Sequence, residues 1–268
     1  MLELRSRIEK KISEATLERY PFPHLIIEDF FPQDVFRTIL EANPFRLNAG
    51  QEWFSEENAP KRTQTPYWTR TQINFHKDQP FEATPEHQQF WGELKDCFLK
   101  DHWFEQIVFE KYREYFVLRF GELLEAPEFS DLLRKELFVQ QHKPGYYIGP
   151  HTDIPTRIFT CIFSFADRPG FEEYGTQLCT HKNPRVRCWG NDHHSPDDFV
   201  VKKVAPYKPN NFVLFFKTRQ SFHSVKPIDE TVPNRRYGMQ FQLYEPVQGL
   251  FTDLSEPEIM VAKIAKPV

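Results

Sequence analysis

The chain has no stretch approaching the roughly 20 consecutive apolar residues that a bilayer-spanning helix needs. Its first residues, Met1 to Tyr20, are charged throughout where a secretory leader would carry an apolar segment. Together these absences predict a cytoplasmic protein with no membrane partner. An excess of positive charge is also missing. Lys and Arg number 34 against 38 Asp and Glu, a formal net charge of -4 with a pI near 6.2, so there is no global attraction for nucleic acid. Lys61-Arg62 is too short a basic run to alter that. Cysteine is sparse, and without a leader Cys97, Cys161, Cys179 and Cys188 read as reduced thiols. Glycine is scarce too, at 10 residues. No repeat, low-complexity tract or linker interrupts the chain, which predicts a single domain over 1–268: a helical and loop-rich part (1–135), a β core (137–245) and a C-terminal extension (246–268). What the sequence does have is aromatic bulk, 27 Phe alongside 22 Pro. Each aromatic ring delivers a large burial area, so the core is expected to be built on phenylalanine.

Apolar spacing predicts an amphipathic helix over residues 3 to 19, ended by Pro21 and Pro23, and a short strand from His24 to Phe30. A second helix opens at Pro32, and a strand is expected between Thr69 and Phe75 within a proline-punctuated stretch. Helical patterning follows over 86–100, 101–120 and 129–133. From Leu137 the texture changes to short alternating or β-branched runs: 137–142, 146–148, 157–165, 176–179, 200–204, 212–216, 221–225 and 237–244. Such a series of strands argues for a barrel or jelly roll, a mainly β core with the cupin-like double-stranded β-helix layout, backed by the N-terminal helices.

Chemistry concentrates at His151, Asp153 and His223. One residue separates His151 from Asp153, so on extended backbone their side chains share a face. His223 follows 70 residues after Asp153, within Phe222-His223-Ser224-Val225. Two imidazoles and a carboxylate can cap one face of an octahedral Fe(II) or Mn(II) ion and leave three positions open. A three-ligand zinc hydrolase or isomerase of the cupin type is the chemical rival, and a catalytically silent binding protein is a third reading. Arg236 lies 13 residues beyond His223 and opens Arg-Tyr-Gly-Met-Gln-Phe-Gln-Leu-Tyr244, whose alternation reads as a strand packed beside the one bearing His223. An arginine there offers a planar fork to a carboxylate, the requirement for holding the far end of a dicarboxylic 2-oxo acid.

The motif His151-Thr-Asp153, then Arg157 to Phe165, Gly175-Thr-Gln-Leu, Asn211 to Lys217, Phe222-His-Ser-Val225 and Arg236-Tyr resembles the Fe(II)/2-oxoglutarate-dependent dioxygenases, in their prolyl-hydroxylase-like branch. The resemblance runs from about Leu137 to Tyr244. It implies His151, Asp153 and His223 as iron ligands and catalytic residues, 2-oxoglutarate and O2 as cosubstrates, and ascorbate as an accessory reductant. Arg236 would partner the 5-carboxylate of 2-oxoglutarate. Arg235 is the alternative, but strand alternation and the Arg-Tyr register favour Arg236. Gln240 shares the face of Arg236, and Thr160, Ser164 and Tyr147 are further candidates near the cosubstrate. The chain departs from the family where Gly175-Thr176 stands in place of a Gly-Gly pair. It retains Asp153, which disfavours the halogenating variants that lose this carboxylate.

Cys179, His181, Cys188, His193 and His194 lie close in sequence, a density found at structural zinc sites. Yet Cys-x-His, then six residues, then Cys matches no tight pair. The segment from Lys182 to Phe199 reads instead as an active-site loop folding over the mouth, with Arg187 and Trp189, together with Arg157, as candidate substrate contacts. Trp68-Thr-Arg70 also invites a substrate reading, against the plainer one of a packed tryptophan and a solvated arginine. The expected reaction is hydroxylation of an unactivated C–H bond, releasing succinate and CO2. The expected substrate is a free amino acid or other small metabolite, with a prolyl or other protein side chain as the alternative.

Overall fold

A computed structural model describes residues 2–47, 69–126, 128–190, 192–229 and 236–245. Lys61, Arg62, Trp68, Arg235 and the expected extension 246–268 lie outside the described residues. Seven α-helices run as α1 (Leu2–Glu14), α2 (Gln33–Glu41), α3 (Pro44–Leu47), α4 (Pro85–Leu99), α5 (Trp103–Lys111), α6 (Arg113–Phe120) and α7 (Phe129–Leu132). Ten strands follow the same numbering: β1 (His24–Ile27), β2 (Arg70–Asn74), β3 (Arg134–His142), β4 (Ile148–His151), β5 (Arg157–Phe165), β6 (Thr176–His181), β7 (Phe199–Ala205), β8 (Pro209–Phe216), β9 (His223–Val225) and β10 (Arg236–Tyr244).

The strands form two antiparallel sheets, in the orders β1-β8-β5-β10-β3-β2 and β4-β9-β6-β7. Strands β3 to β10 pass between the two sheets as the chain proceeds, which is the winding of a double-stranded β-helix, the jelly roll expected from the sequence. β1 and β2 widen the larger sheet at its two edges. Its outer face is covered by helices and its inner face by the smaller sheet, so β5 (Arg-Ile-Phe-Thr-Cys-Ile-Phe-Ser-Phe) is buried almost end to end. β7 closes the smaller sheet with an exposed edge carrying Lys202 and Lys203, charges that discourage further strand pairing.

Phenylalanine fills the layer between helices and sheet. Phe163 on β5 has its ring centroid 5.4 Å from Phe30, 5.6 Å from Phe31, 5.4 Å from Phe98 and 4.9 Å from Phe212. Phe163→Ala should therefore cost about 3–5 kcal/mol in urea unfolding; a loss below 1 kcal/mol would mean that this layer is not the main core.

Two helical expectations are corrected. The first helix stops at Glu14 rather than running to residue 19, because the backbone of Glu18 is drawn into a two-way bridge with His24, at 3.0 and 2.9 Å. The stretch 101–120 divides into α5 and α6 at Tyr112, whose buried hydroxyl donates to the carbonyl of Leu214 on β8 at 3.2 Å and pins the helical layer to the sheet. A third correction concerns the site. The strand bearing Arg236 is not packed beside the one bearing His223. β10 pairs with β3 and β5 in the larger sheet, whereas β9 pairs with β4 and β6 in the smaller one. Arg236 and His223 meet across the interior, because the chain crosses from one sheet to the other between them.

Candidate active site

β4 and β9 place the two histidines. His151 and His223 are register partners on these antiparallel strands, so their side chains project from the same face, with ring centroids 4.2 Å apart. Asp153 follows two residues beyond the end of β4. The potential ligand atoms of His151, Asp153 and His223 all lie within 4.8 Å of one another, and no other such group occurs among the described residues. Each imidazole is oriented by its own backbone: His151 Nδ1 lies 2.9 Å from Gly149 O, and His223 Nδ1 lies 3.0 Å from Ser221 O. With Nδ1–H donating to those carbonyls, both Nε2 lone pairs are left for a metal. Burial, joined for His151 by the neighbouring histidines, pushes both imidazoles below their ordinary pKa, so they are neutral, ligand-ready bases.

Asp153 is secured from the opposite sheet. Burial alone would raise its pKa, but the Arg157 guanidinium, the flanking imidazoles and a Thr160 hydrogen bond together hold it well below the usual carboxylate range. Thr160 Oγ1 donates to Asp153 Oδ2 at 2.7 Å, and Arg157 Nη1 lies 3.8 Å from the same oxygen. Arg157 also donates to Thr160 Oγ1 at 2.8 Å and to the Tyr244 hydroxyl at 2.6 Å. It is a buried support of the carboxylate, not a solvated side chain.

The three ligands share a cavity of about 260 Å³ with Arg236, Gln240, Thr160 and Arg157. Arg236 is buried on β10 in a cross-strand row with His142 on β3 and Arg70 on β2. Its Nη1 donates to His142 Nδ1 at 2.7 Å, its guanidinium lies 5.5 Å from the Tyr207 ring centroid, and its Nε has no partner. Burial and the neighbouring guanidiniums of Arg236 and Arg70 keep His142 neutral. Burial works against the charge of Arg236 itself, and the groups that favour that charge are two tyrosines. No carboxylate among the described residues pairs with it. A buried cation bonded only to a neutral partner is costly unless an anion completes it.

Other expected residues fall elsewhere. Tyr147 does not line the cavity; its neighbour Tyr146 does, stacked on the His142 ring with centroids 4.0 Å apart. Ser164 is buried in the sheet opposite Gly238 and Asn211, away from the cavity lining. Arg187 donates to the carbonyls of Pro184 and Val186, and Trp189 is 47% exposed beneath the Arg219 guanidinium, so neither reaches the site.

Residues of the segment 182–198 do lie against the site, along the stretch from Pro150 to Asp153. His194 N donates to Pro150 O at 2.9 Å and Thr152 Oγ1 to Cys188 O at 3.1 Å. Gly190, at φ +129°, approaches so closely that a Cβ would stand 2.3 Å from Asp153 O. The loop's contribution to the cavity is His193, stacked parallel on His151 with centroids 4.7 Å apart. The Cys/His cluster is dispersed rather than gathered: Cys179 and Cys188 are buried with Phe199 and Phe222, while His181 sits at the exposed turn of Asn183. Polar positions that the sequence reading passed over are Glu136, Gln140 and His142 on β3, Gln72 on β2 and Gln242 on β10. Their clearest signal was on β10, where Gln240 and Gln242 alternate with Met239, Phe241 and Leu243; on β3 Phe138 and Gln141 break the alternation.

Lys217 lies behind Thr152, its Nζ donating to Trp189 O at 3.2 Å, Thr218 O at 3.1 Å and Thr152 Oγ1 at 3.4 Å. Burial, helped by Arg119, pushes it down to about 7. In the unfolded chain the amine keeps its proton up to about pH 10.4. Between these values the unfolded state binds the extra proton, so the penalty is largest below pH 7 and fades as pH rises toward 10. Lys217→Met should flatten the corresponding rise in stability between pH 7 and 10 in urea titrations; an unchanged slope would assign it to other groups.

No family model matches the chain, and no curated protein does. Among solved structures it is similar to a prolyl-4-hydroxylase from Pseudomonas putida, at 11% identity over 90% of this chain and 99% of that one, with a TM-score of 0.47. It is similar to the epimerase SnoN in complex with Fe3+, alpha ketoglutarate and nogalamycin RO, at 10% identity over 93% and 89% of the two chains, TM-score 0.42. A third is HygX from Streptomyces hygroscopicus with nickel, 2-oxoglutarate and hygromycin B bound, at 9% identity over 84% and 83%, TM-score 0.43.

Proposed function

We propose that the chain is an Fe(II)- and 2-oxoglutarate-dependent dioxygenase that hydroxylates an unactivated C–H bond of a small molecule, with release of succinate and CO2. One observation carries this reading. A two-histidine, one-carboxylate set and a buried arginine without a carboxylate partner among the described residues line the same cavity. A zinc hydrolase would use the three ligands and leave Arg236 uncompensated; a dicarboxylic 2-oxo acid uses both. The unpartnered Nε of Arg236 and the two free Nε2 lone pairs fit such a pair of ligands on this chain's own donors.

When bound, Fe(II) with 2-oxoglutarate and O2 supplies the oxidant for C–H hydroxylation. His151, His223 and Asp153 are the residues that would hold the ion. Thr160 and Arg157 fix the carboxylate so that it coordinates in one orientation. Arg236 would take the distal carboxylate of the 2-oxo acid, with Gln240 on the same face of the cavity. Ile148, Ile162 and Val225 contribute apolar surface to the cavity, and His193 stacks on the His151 ring. Anaerobic addition of Fe(II) and then 2-oxoglutarate should produce the visible absorption of the metal chelate. A colourless mixture at saturating 2-oxoglutarate would sink the reading.

A further inference from the structure

The cavity has more fixed polar surface than the metal and the 2-oxo acid use. Four primary amides run head to tail across β2, β3 and β10. Gln140 Nε2 donates to Gln72 Oε1 at 3.2 Å, Gln240 Nε2 to Gln140 Oε1 at 3.0 Å, and Gln242 Nε2 to Gln240 Oε1 at 2.7 Å. The row is anchored at both ends: Gln72 Nε2 donates to Asn74 Oδ1 at 2.9 Å, and the Tyr244 hydroxyl lies 2.7 Å from Gln242 Oε1. All four amides line the cavity. A primary amide has two N–H donors and two carbonyl lone pairs. The row consumes one donor from each, which locks the amides in orientation and leaves a second donor edge available.

This wall is selective by what it would strand. An apolar ligand would leave oriented amide groups without partners, which disfavours its binding. The charged side chains beside the row are already engaged. Glu136 pairs with Arg134 and lies 2.8 Å from the Tyr244 hydroxyl, while the two Nη groups of Arg157 serve Thr160 and Tyr244. Phe138 lies between Glu136 and Gln140 on the same face of β3 and offers an aromatic surface to a C–H face.

We infer that the substrate is a neutral, hydroxyl-rich small molecule of the carbohydrate or polyol class, whose adjacent hydroxyls bind the Gln72–Gln140 end of the row with Phe138 beneath its C–H face. A hydroxyl both donates and accepts, so neighbouring hydroxyls match the amide edges as neither a hydrocarbon nor an ammonium group can. The inference rests on the dioxygenase reading of the cavity and replaces the free amino acid expected from the sequence.

The test is calorimetric binding and stimulation of succinate formation, using the full chain and a fixed set of probes: D-glucose, D-ribose, myo-inositol, 2-deoxy-D-glucose, 2-deoxy-D-ribose, L-proline, L-lysine, a proline-containing peptide and cyclohexanol. At least one hydroxyl-rich probe should bind, both without metal and with Fe(II) and 2-oxoglutarate under anaerobic conditions. Its deoxy analogue should bind at least 10-fold more weakly, because a site built around a hydroxyl penalises its loss. Gln72→Leu, at the edge of the row, should raise the KM of the stimulating probe at least 10-fold while the KM for 2-oxoglutarate changes less than 2-fold. The deoxy comparison uses the unaltered chain, so it stands even where the variant folds poorly. Binding confined to amino acids, the peptide or cyclohexanol would overturn the inference. So would equal binding of deoxy analogues, or no binding by any probe while the iron chelate forms. A hydroxyl-selective site in a chain that forms no chelate would overturn the dioxygenase reading and leave the sugar site standing.

Discussion

Asp153→Ala is expected to abolish substrate-dependent succinate formation and to reduce bound iron to background. The residue is the only anionic member of the ligand set, and it is also the counter-ion that keeps Arg157 from being an uncompensated buried charge. Two effects follow, and they can be separated. The first is loss of the metal, since two neutral imidazoles hold Fe(II) far less firmly than two imidazoles and a carboxylate. The second is a stability cost of up to about 3–5 kcal/mol from stranding Arg157. Asp153→Ala combined with Arg157→Leu should recover much of that stability without recovering activity. Thr160→Val, which removes the 2.7 Å bond to Oδ2 and the 2.8 Å bond accepted from Arg157 but keeps the carboxylate, should give the milder loss of a supporting group, about 10–100-fold in metal affinity or activity. Iron content by metal analysis, urea midpoints and succinate release distinguish these outcomes. Normal iron loading in Asp153→Ala would remove the carboxylate from the ligand set.

The gathering of His151, Asp153 and His223 was legible because its constraints are local. One residue between His151 and Asp153 puts both on a face, and the strand after Phe212 to Phe216 had to bring His223 alongside. The strands of the core were legible for a related reason: alternation survives wherever one face meets the apolar layer and the other the cavity, as on β10. Arg157, a candidate substrate contact by sequence, became the support of Asp153 because β5 carries it back beneath the carboxylate, a tertiary fact that no spacing encodes. The glutamine row was invisible for the same reason. Gln72, Gln140 and Gln240 lie on three strands that become neighbours only when β2 adds to the edge of the sheet beside β3. Arg187 and Trp189 were favoured for their chemistry, yet the loop turns them outward and presents His193. Its path is set by the close backbone approach at Gly190 and the His194–Pro150 bond, not by side-chain type.

Replacing Arg236 separates the two demands that the cavity places on it. In the ligand-free protein the guanidinium is buried, bonded to a neutral histidine and unpaired at Nε, so it stabilises nothing commensurate with its desolvation. Arg236→Leu should therefore leave the ligand-free protein as stable as the parent, or more stable. With 2-oxoglutarate the sign reverses. Losing one partner of a buried, hydrogen-bonded charge pair costs about 2–5 kcal/mol, so the dissociation constant should rise by about 30-fold to several thousand-fold. The parent should gain about 2.7 kcal/mol of stability at a 2-oxoglutarate concentration 100 times its dissociation constant, and the variant should gain no more than about 0.9 kcal/mol at that concentration. Arg236→Lys keeps the charge but replaces a planar fork by a point donor on a shorter reach, so it should fall between the two. Melting curves with and without Fe(II) and 2-oxoglutarate measure both halves. Should Arg236→Leu destabilise the ligand-free protein and leave the 2-oxoglutarate response intact, the arginine would be a structural group and the cosubstrate would bind elsewhere in the cavity.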